Sequence, residues 1–353
     1  MERTVIAIVL YGIAGFLLAF LLIPPYIAGL KRLKLAKQIR TEATVGKAVL
    51  FNQLHAHKAG TPTMGGGVIL LSAFAMVALS MALYAGRDWI KAAFGFELNN
   101  SLFSRKETYL SLFTLASVGA LGFVDDLMNI MGIGKRKGLS ARLKMLGLMA
   151  FGLAGGYWFF YKIGYDTVSL PLLGAVDLGW VYVPVAAFIL ASLANAVNFT
   201  DGLDGLAGGL LIQNYALYAL ITYLNGQFLL STLCLVIAGA LGAFLWYNVK
   251  PAKFFMGDVG SLALGANLAV MALMTDTLAV LLIVSLVYVW EILSVVIQLT
   301  SKKLRGGKKV FLIAPFHHHL QALGMAEETI VMKAWLLQAL LTGAGLIAFF
   351  LIR

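Results

Sequence analysis

Eight runs of this chain contain no Asp, Glu, Lys, Arg or His: 4–30, 59–86, 108–124, 145–161, 178–200, 205–249, 259–275 and 334–352. A helix of roughly 20 apolar residues spans the hydrocarbon core of a bilayer. Each run reaches that length, the shorter ones with a flanking residue or two. Run 205–249 is about twice as long and breaks at Asn225-Gly226, a turn signal, so it reads as two helices. Segment 277–299, interrupted only by Glu291, adds another, for ten spans in all. The expected fold is all-α, one polytopic membrane domain covering 1–353. A chain that is 61% hydrophobic and 12% charged, with mean hydropathy +0.89, does not suit a water-soluble fold.

Lys and Arg orient the spans, because they concentrate in cytoplasmic connections. The connections after the odd-numbered spans hold 20 of the 27 basic residues: seven in 31–64, five in 125–144, two in 248–258 and six in 300–333. Both termini are therefore expected outside. The net charge of +11 sits almost wholly on the cytoplasmic face, where it attracts anionic headgroups and anionic substrates. Cys234 is the single cysteine and lies within an apolar run, which excludes an intrachain disulfide or a thiolate metal site. The first run is too long for a leader core and is expected to stay as a span.

That orientation sends five aspartates to the cytoplasmic side, in the motifs GFVDD, NFTDGLDG and FFMGD: Asp125, Asp126, Asp201, Asp204 and Asp258. Ionised carboxylates next to hydrocarbon are costly unless they hold a metal, a proton or a partner. Asp125-Asp126 is a pair just past a span, a pattern that hard cations such as Mg²⁺ use when they also bind phosphates. Asn198, Asp201 and Asp204 stand three apart and share a face if the helix continues through them. Gly202 and Gly205 leave backbone open beside them. Asp258 opens an apolar run and also suits a helix N-cap. The other acids, including Glu42, Glu327 and Glu328 in cytoplasmic loops, read as solvated surface charge.

His317, His318 and His319 follow Ala314-Pro315-Phe316. Adjacent histidines point in different directions and no cysteine accompanies them, which disfavours structural zinc and favours hydrogen bonds or positive charge offered to phosphate. Upstream, Lys58, Thr61 and Thr63 precede Gly65-Gly66-Gly67 without the spacing of a Walker A loop. Glu291 and Gln298, seven residues apart, lie on nearly one face of the ninth span, available to substrate or to another helix.

Together, TPTMGG, GFVDD, NAVNFTDGLDGLAGG, FFMGDVGSLALG and PFHHHL occur in this order over nearly the whole chain, which resembles the phospho-N-acetylmuramoyl-pentapeptide-transferase family of bacterial cell-wall synthesis. The resemblance implies ten transmembrane helices, a site on the cytoplasmic face of the bacterial inner membrane, a Mg²⁺ cofactor and a homodimer. It implies transfer of phospho-MurNAc-pentapeptide from UDP-MurNAc-pentapeptide to undecaprenyl phosphate, giving lipid I and UMP; no nucleic-acid partner is expected. By the same resemblance Asp258 is the principal metal ligand, with Asp125 and Asp126 beside the metal or the lipid phosphate. Asp201 is the base that keeps the attacking phosphate ionised. Gly202, Leu203, Asp204, Asn248 and Phe255 form a uridine pocket near Lys58, with Thr63 and Asn198 also at the substrate. The three histidines face the diphosphate or sugar, and Lys144 faces the acidic groups.

Two positions depart from the family pattern. Asn129 stands where members often have lysine, with Lys135-Arg136-Lys137 nearby to supply the charge, and Gln321 stands where members commonly have glutamate. One alternative is a sister enzyme transferring GlcNAc-1-phosphate to the same lipid; TPTMGG and PFHHH argue for the muramoyl branch. Another is a transporter, which would need charges along a path through mid-membrane.

Overall fold

The computed structural model describes residues 2–36, 58, 60–95, 100–134, 138–170 and 174–352. Thirteen α-helices are found among them: α1 Glu2–Arg32, α2 Gly66–Ala85, α3 Arg87–Phe94, α4 Lys106–Ile130, α5 Ala141–Trp158, α6 Tyr182–Thr200, α7 Leu206–Leu224, α8 Phe228–Asn248, α9 Gly257–Met274, α10 Leu278–Val284, α11 Leu286–Leu304, α12 Phe316–Ala322 and α13 Glu327–Ile352. A two-stranded antiparallel hairpin, β1 Thr167–Leu170 with β2 Gly174–Asp177, pairs Thr167 with Asp177 and Leu170 with Gly174.

The apolar runs became helices, and the long one divides at Asn225-Gly226, where Gly226 takes a positive φ. Among the described residues eight helices can cross a membrane by length and composition, or nine if α10 and α11, bent by 68°, are one span. The expected count was ten. The remaining run is α7, which carries Gln213 and Asn214 and is buried along most of its length, so its polar residues face other helices.

Helix α9 is the centre of the bundle, buried at every position from Val259 to Met274. Hydrocarbon gives helices no hydrophobic reason to associate, so close backbone packing through small residues and buried hydrogen bonds must hold them. Both are present. A Cβ on Gly66 of α2 would lie 2.2 Å from the Gly260 Cα, and one on Gly122 of α4 would lie 2.3 Å from the Asp258 carbonyl oxygen. These two contacts bring α2 and α4 against the start of α9. Deeper in the bundle, Ser111 donates to Asn267 at 2.7 Å, Asn267 to the Tyr215 hydroxyl at 3.1 Å, and Tyr215 to the Leu264 carbonyl at 2.9 Å.

The helices alternate in direction. One end of the bundle gathers the C-terminal ends of α1, α4, α6 and α8 and the N-terminal ends of α2, α5, α7, α9 and α13. The far end carries the β-hairpin, the start of α1 and the end of α13.

Candidate active site

Every aspartate of the three motifs lies at the first of these ends. Asp125 and Asp126 are not beyond the span but inside the last turns of α4, because the helix continues to Ile130. Gly122, one turn earlier, sets them beside the first turn of α9. Asp126 Oδ2 accepts from Val259 N at 3.1 Å, and Asp201 Oδ2 accepts from Gly257 N at 3.2 Å. Two free N–H groups of a helix start are thus satisfied by carboxylates from α4 and from the end of α6, where the positive end of the helix dipole also favours anions. Gly257 has φ +74°, and a Cβ there would meet Asp126 Oδ2 at 2.6 Å and Thr63 Oγ1 at 3.0 Å; only glycine leaves room for that meeting.

Asp258 is the second residue of α9 and does not cap it. Its Oδ1 accepts from Asn198 Nδ2 at 2.7 Å, and Asn198 Nδ2 also reaches Ser261 Oγ at 2.8 Å. Its Oδ2 lies 2.5 Å from Lys144 Nζ, and that ammonium is also 2.5 Å from Asp125 Oδ2. Asp125 Oδ1 accepts from Leu139 N at 2.6 Å. Lys144, in the first turn of α5, thus bridges carboxylates from α4 and α9. Lys135, Arg136 and Lys137 lie outside the described residues.

Asn198, Asp201 and Asp204 do not share a helical face. Helix α6 ends at Thr200, Asp201 caps it with ψ +55°, and Asp204 falls in the next turn. The three therefore serve different neighbours. Asp204, buried, forms an ion pair with Lys58 at 2.6 Å through Oδ1 and accepts from Ala252 N at 3.0 Å through Oδ2. Leu203 is buried and its carbonyl closes the turn by accepting from Leu206 N at 3.2 Å. Asn248 is buried too, accepting from Gly205 N at 3.0 Å and donating to the Phe254 carbonyl at 2.9 Å, so it ties the turn to the FFMGD loop. Phe255 is half-buried, and the Lys58 ammonium stands 5.9 Å from its ring centre.

The three histidines open α12 and diverge. His317, 1% exposed, has Nδ1 3.0 Å from Glu291 Oε2, and its backbone N donates to the same oxygen at 3.2 Å. Its Nε2 has no hydrogen-bond partner among the described residues and points at Gly202, where a Cβ would lie 2.2 Å away. The bare backbone of Gly202 is therefore space for a histidine. His318 Nδ1 is 2.8 Å from Gln321 Oε1, the residue at the departed position, and His319 Nδ1 accepts from Leu312 N at 3.3 Å. Gln298 holds the loop before them, accepting from Val310 N and Phe311 N and donating to the Phe311 carbonyl. Glu291 and Gln298 thus spend their shared face on fixing the histidine segment.

Glu327 is the residue the sequence reading missed. Taken there as loop charge, it is 5% exposed at the start of α13, where it pairs with Lys58 and accepts from Asp204 N at 2.9 Å. The only hint was its place among acids opening an apolar helix. Lys250 lies 3.8 Å from Glu327 and 2.9 Å from exposed Glu328, and the hydrogen bond to Glu328 raises the Lys250 ammonium above its ordinary pKa.

Among the described residues no group of three or more His, Cys, Asp or Glu stands at metal-holding spacing. The donors around Lys144 nevertheless fit a hard cation in kind: Asp125, Asp126 and Asp258 are all carboxylates, and an ammonium already occupies the point between two of them.

A model of the family described as glycosyl transferase family 4 matches residues 108–276. Over 342 residues the chain is 36% identical to a phospho-N-acetylmuramoyl-pentapeptide-transferase of Geobacillus thermodenitrificans (strain NG80-2), covering 96% of this chain and 97% of that protein. It is 37% identical over 327 residues to the protein of that name from Clostridium perfringens (strain SM101 / Type A), covering 92% and 91%. With that of Desulfotalea psychrophila (strain LSv54 / DSM 12343) it shares 35% over 348 residues, 94% and 89% of the two chains.

Proposed function

The chain belongs to the phospho-N-acetylmuramoyl-pentapeptide-transferase family, and from that membership we propose that it transfers phospho-MurNAc-pentapeptide from UDP-MurNAc-pentapeptide to undecaprenyl phosphate, forming lipid I and releasing UMP. Its place is the bacterial inner membrane, with the aspartate end of the bundle on the cytoplasmic side, where 20 of 27 basic residues fall, and the working form is a homodimer. The observation that carries the reading is the meeting of Asp125, Asp126, Asp201 and Asp258 around the first turn of α9.

Phosphoryl transfer asks of a protein mainly positioning and charge stabilisation. Asp258, Asp125 and Asp126 would hold Mg²⁺, which when bound screens the diphosphate and the incoming phosphate. Lys144 fixes the relative placement of Asp125 and Asp258, and Asn198 orients Asp258 from the other side. Asp201, anchored to Gly257 N, keeps the attacking lipid phosphate ionised; a phosphate monoester with a second pKa near 6 is then a competent nucleophile, so direct attack needs no covalent aspartyl intermediate. Glu291 holds His317 by Nδ1, which directs Nε2 toward the Asp201-Gly202 turn as a donor for phosphate oxygen. The Asp204 turn with Lys58 and Phe255 receives the nucleotide.

The mid-bundle groups Ser111, Asn267 and Tyr215 are neutral and bonded to one another, which suits a scaffold better than a conduction path. The test is UMP release by detergent-purified protein with undecaprenyl phosphate, comparing UDP-MurNAc-pentapeptide with UDP-GlcNAc, each with Mg²⁺ and with EDTA. Mg²⁺-dependent release from the pentapeptide donor alone is expected. Release from UDP-GlcNAc would move the chain to the sister reaction.

A further inference from the structure

We infer that Glu327 is a positioning residue of the nucleotide pocket, holding the Asp204 turn and withdrawing the Lys58 ammonium from phosphate so that the pocket recognises a neutral base. The inference rests on the reading of Asp204, Lys58 and Phe255 as that pocket.

The bonds around Glu327 leave it little other work. One oxygen, Oε1, takes both the Lys58 ammonium and the backbone N–H of Asp204, the latter at 2.9 Å. Lys58 in turn lies 2.6 Å from Asp204 Oδ1, so one ammonium stands between two carboxylates that are 5% and 4% exposed in their side chains. The three groups sum to one negative charge. Lys250, 3.8 Å from Glu327 and one-third exposed, offsets it only in part, since solvent screens that pair.

A lysine that serves phosphate keeps its charge available. Lys58 does not, and the negative sum around it repels a diphosphate. An ammonium carries three donors and two of these have carboxylate partners, which leaves one for a carbonyl. Phe255 adds an aromatic face 5.9 Å from the same nitrogen. Carbonyl acceptors on a flat neutral ring, as in a pyrimidine base, match that arrangement. Its other carboxylate contact, to Ala252 N at 3.0 Å, keeps Asp204 fixed against the α8–α9 connection. Glu327 thereby links the last helix to base recognition, more than 120 residues away in sequence from Asp204.

The experiment measures steady-state UMP release by the full-length purified protein and its inhibition by free uridine, in wild type, E327Q, E327D and D204N. Losing one charge-assisted hydrogen-bond acceptor, E327Q should raise the KM for the UDP-linked donor and the inhibition constant of uridine together, each about 10-fold. Its kcat should stay within about 3-fold of wild type and its KM for undecaprenyl phosphate should not move. E327D, which keeps the charge on a shorter stem, should fall between. A fall in kcat with unchanged donor KM, or unchanged uridine inhibition, overturns the inference. If E327Q does not accumulate, an E327D donor KM equal to wild type overturns it as well. D204N separates the two readings. Uridine that fails to compete with the donor in wild type removes the nucleotide-pocket reading itself, whereas weakened uridine binding in D204N beside normal binding in E327Q removes only the role of Glu327.

Discussion

Asp258 and Asp276 stand at the two ends of the same buried helix, α9, and their surroundings differ in kind. Asp276, just past the C-terminal end, takes both its hydrogen bonds from one serine of the hairpin: Ser169 N donates to Oδ1 at 2.9 Å and Ser169 Oγ to Oδ2. Asp258, in the first turn, shares a lysine with Asp125, an amide with Ser261, and its helix start with Asp126 and Asp201. The first arrangement satisfies one carboxylate with neutral donors and joins two pieces of chain. The second crowds four carboxylates where one would serve structure, which is worth its electrostatic cost only if the protein must bind positive charge or stabilise charge on a substrate. The contrast separates an aspartate that holds the fold from the aspartates proposed to do chemistry, and each half of it can be broken.

The largest effect is expected at the crowded end. Asp258→Asn keeps the shape and the Asn198 contact but removes a charge from the set, and UMP release should fall on the order of 10³-fold or more while the protein still elutes as a folded species. Asp201→Asn should behave alike. Near-wild-type turnover in either would remove that residue from the mechanism. A smaller loss is expected at the turn between them. In Gly202→Ala the new methyl would lie 2.2 Å from His317 Nε2, so the ring must move, and displacement of about 1 Å can cost about 10²-fold in rate. Unchanged kcat would mean that Nε2 is not aimed at substrate.

How much of this contrast could be read from the chain alone depends on the range of the forces involved. The helices follow from local apolar runs, and the break at Asn225-Gly226 from local turn chemistry. The aspartates stood out because a carboxylate beside a span is costly wherever it lies. Their partners were less legible. Gly122 and Gly257 read as ordinary glycines until α4 and α9 touch through them, and Asp125-Asp126 looked like loop because the charge-free run stops before the helix does. Glu327 was taken for solvated charge since its burial is set by Lys58, which arrives from the other end of the chain. Leu203 and Asn248 were assigned to substrate, yet their bonds go to the protein's own backbone.

Glu291→Gln is the next step down. The carboxylate that now fixes His317 by Nδ1 would become a neutral amide, which offers only one oxygen to the ring and can turn its nitrogen toward it instead. Removing such an orienting partner typically costs about 10- to 100-fold. The split between kcat and KM is the informative readout: if the pair aims Nε2 at phosphate as drawn, the loss should fall on kcat rather than on the KM for the donor. An earlier thermal transition with unchanged kcat would assign Glu291 to holding the loop alone.

The smallest effect on activity should come from the other end. Asp276 sits at φ +50°, a left-handed conformation that Asn tolerates nearly as well as Asp, so Asp276→Asn changes charge without changing backbone, whereas Asp276→Ala also removes both acceptors for Ser169. Asp276→Ala should lower stability by about 1–2 kcal/mol, seen as an earlier thermal transition of the detergent-solubilised protein, and Asp276→Asn by less. UMP release measured well below that transition should be unchanged in both. A loss of turnover without a loss of stability would mean that α9 carries a signal between its ends, and the division of labour drawn from its two aspartates would then be wrong. The geometry argues otherwise: α9 is buried at every position from Val259 to Met274, and the hairpin bonds to Asp276, beyond its last turn, so a contact released there leaves the packing of the helix between the two aspartates in place.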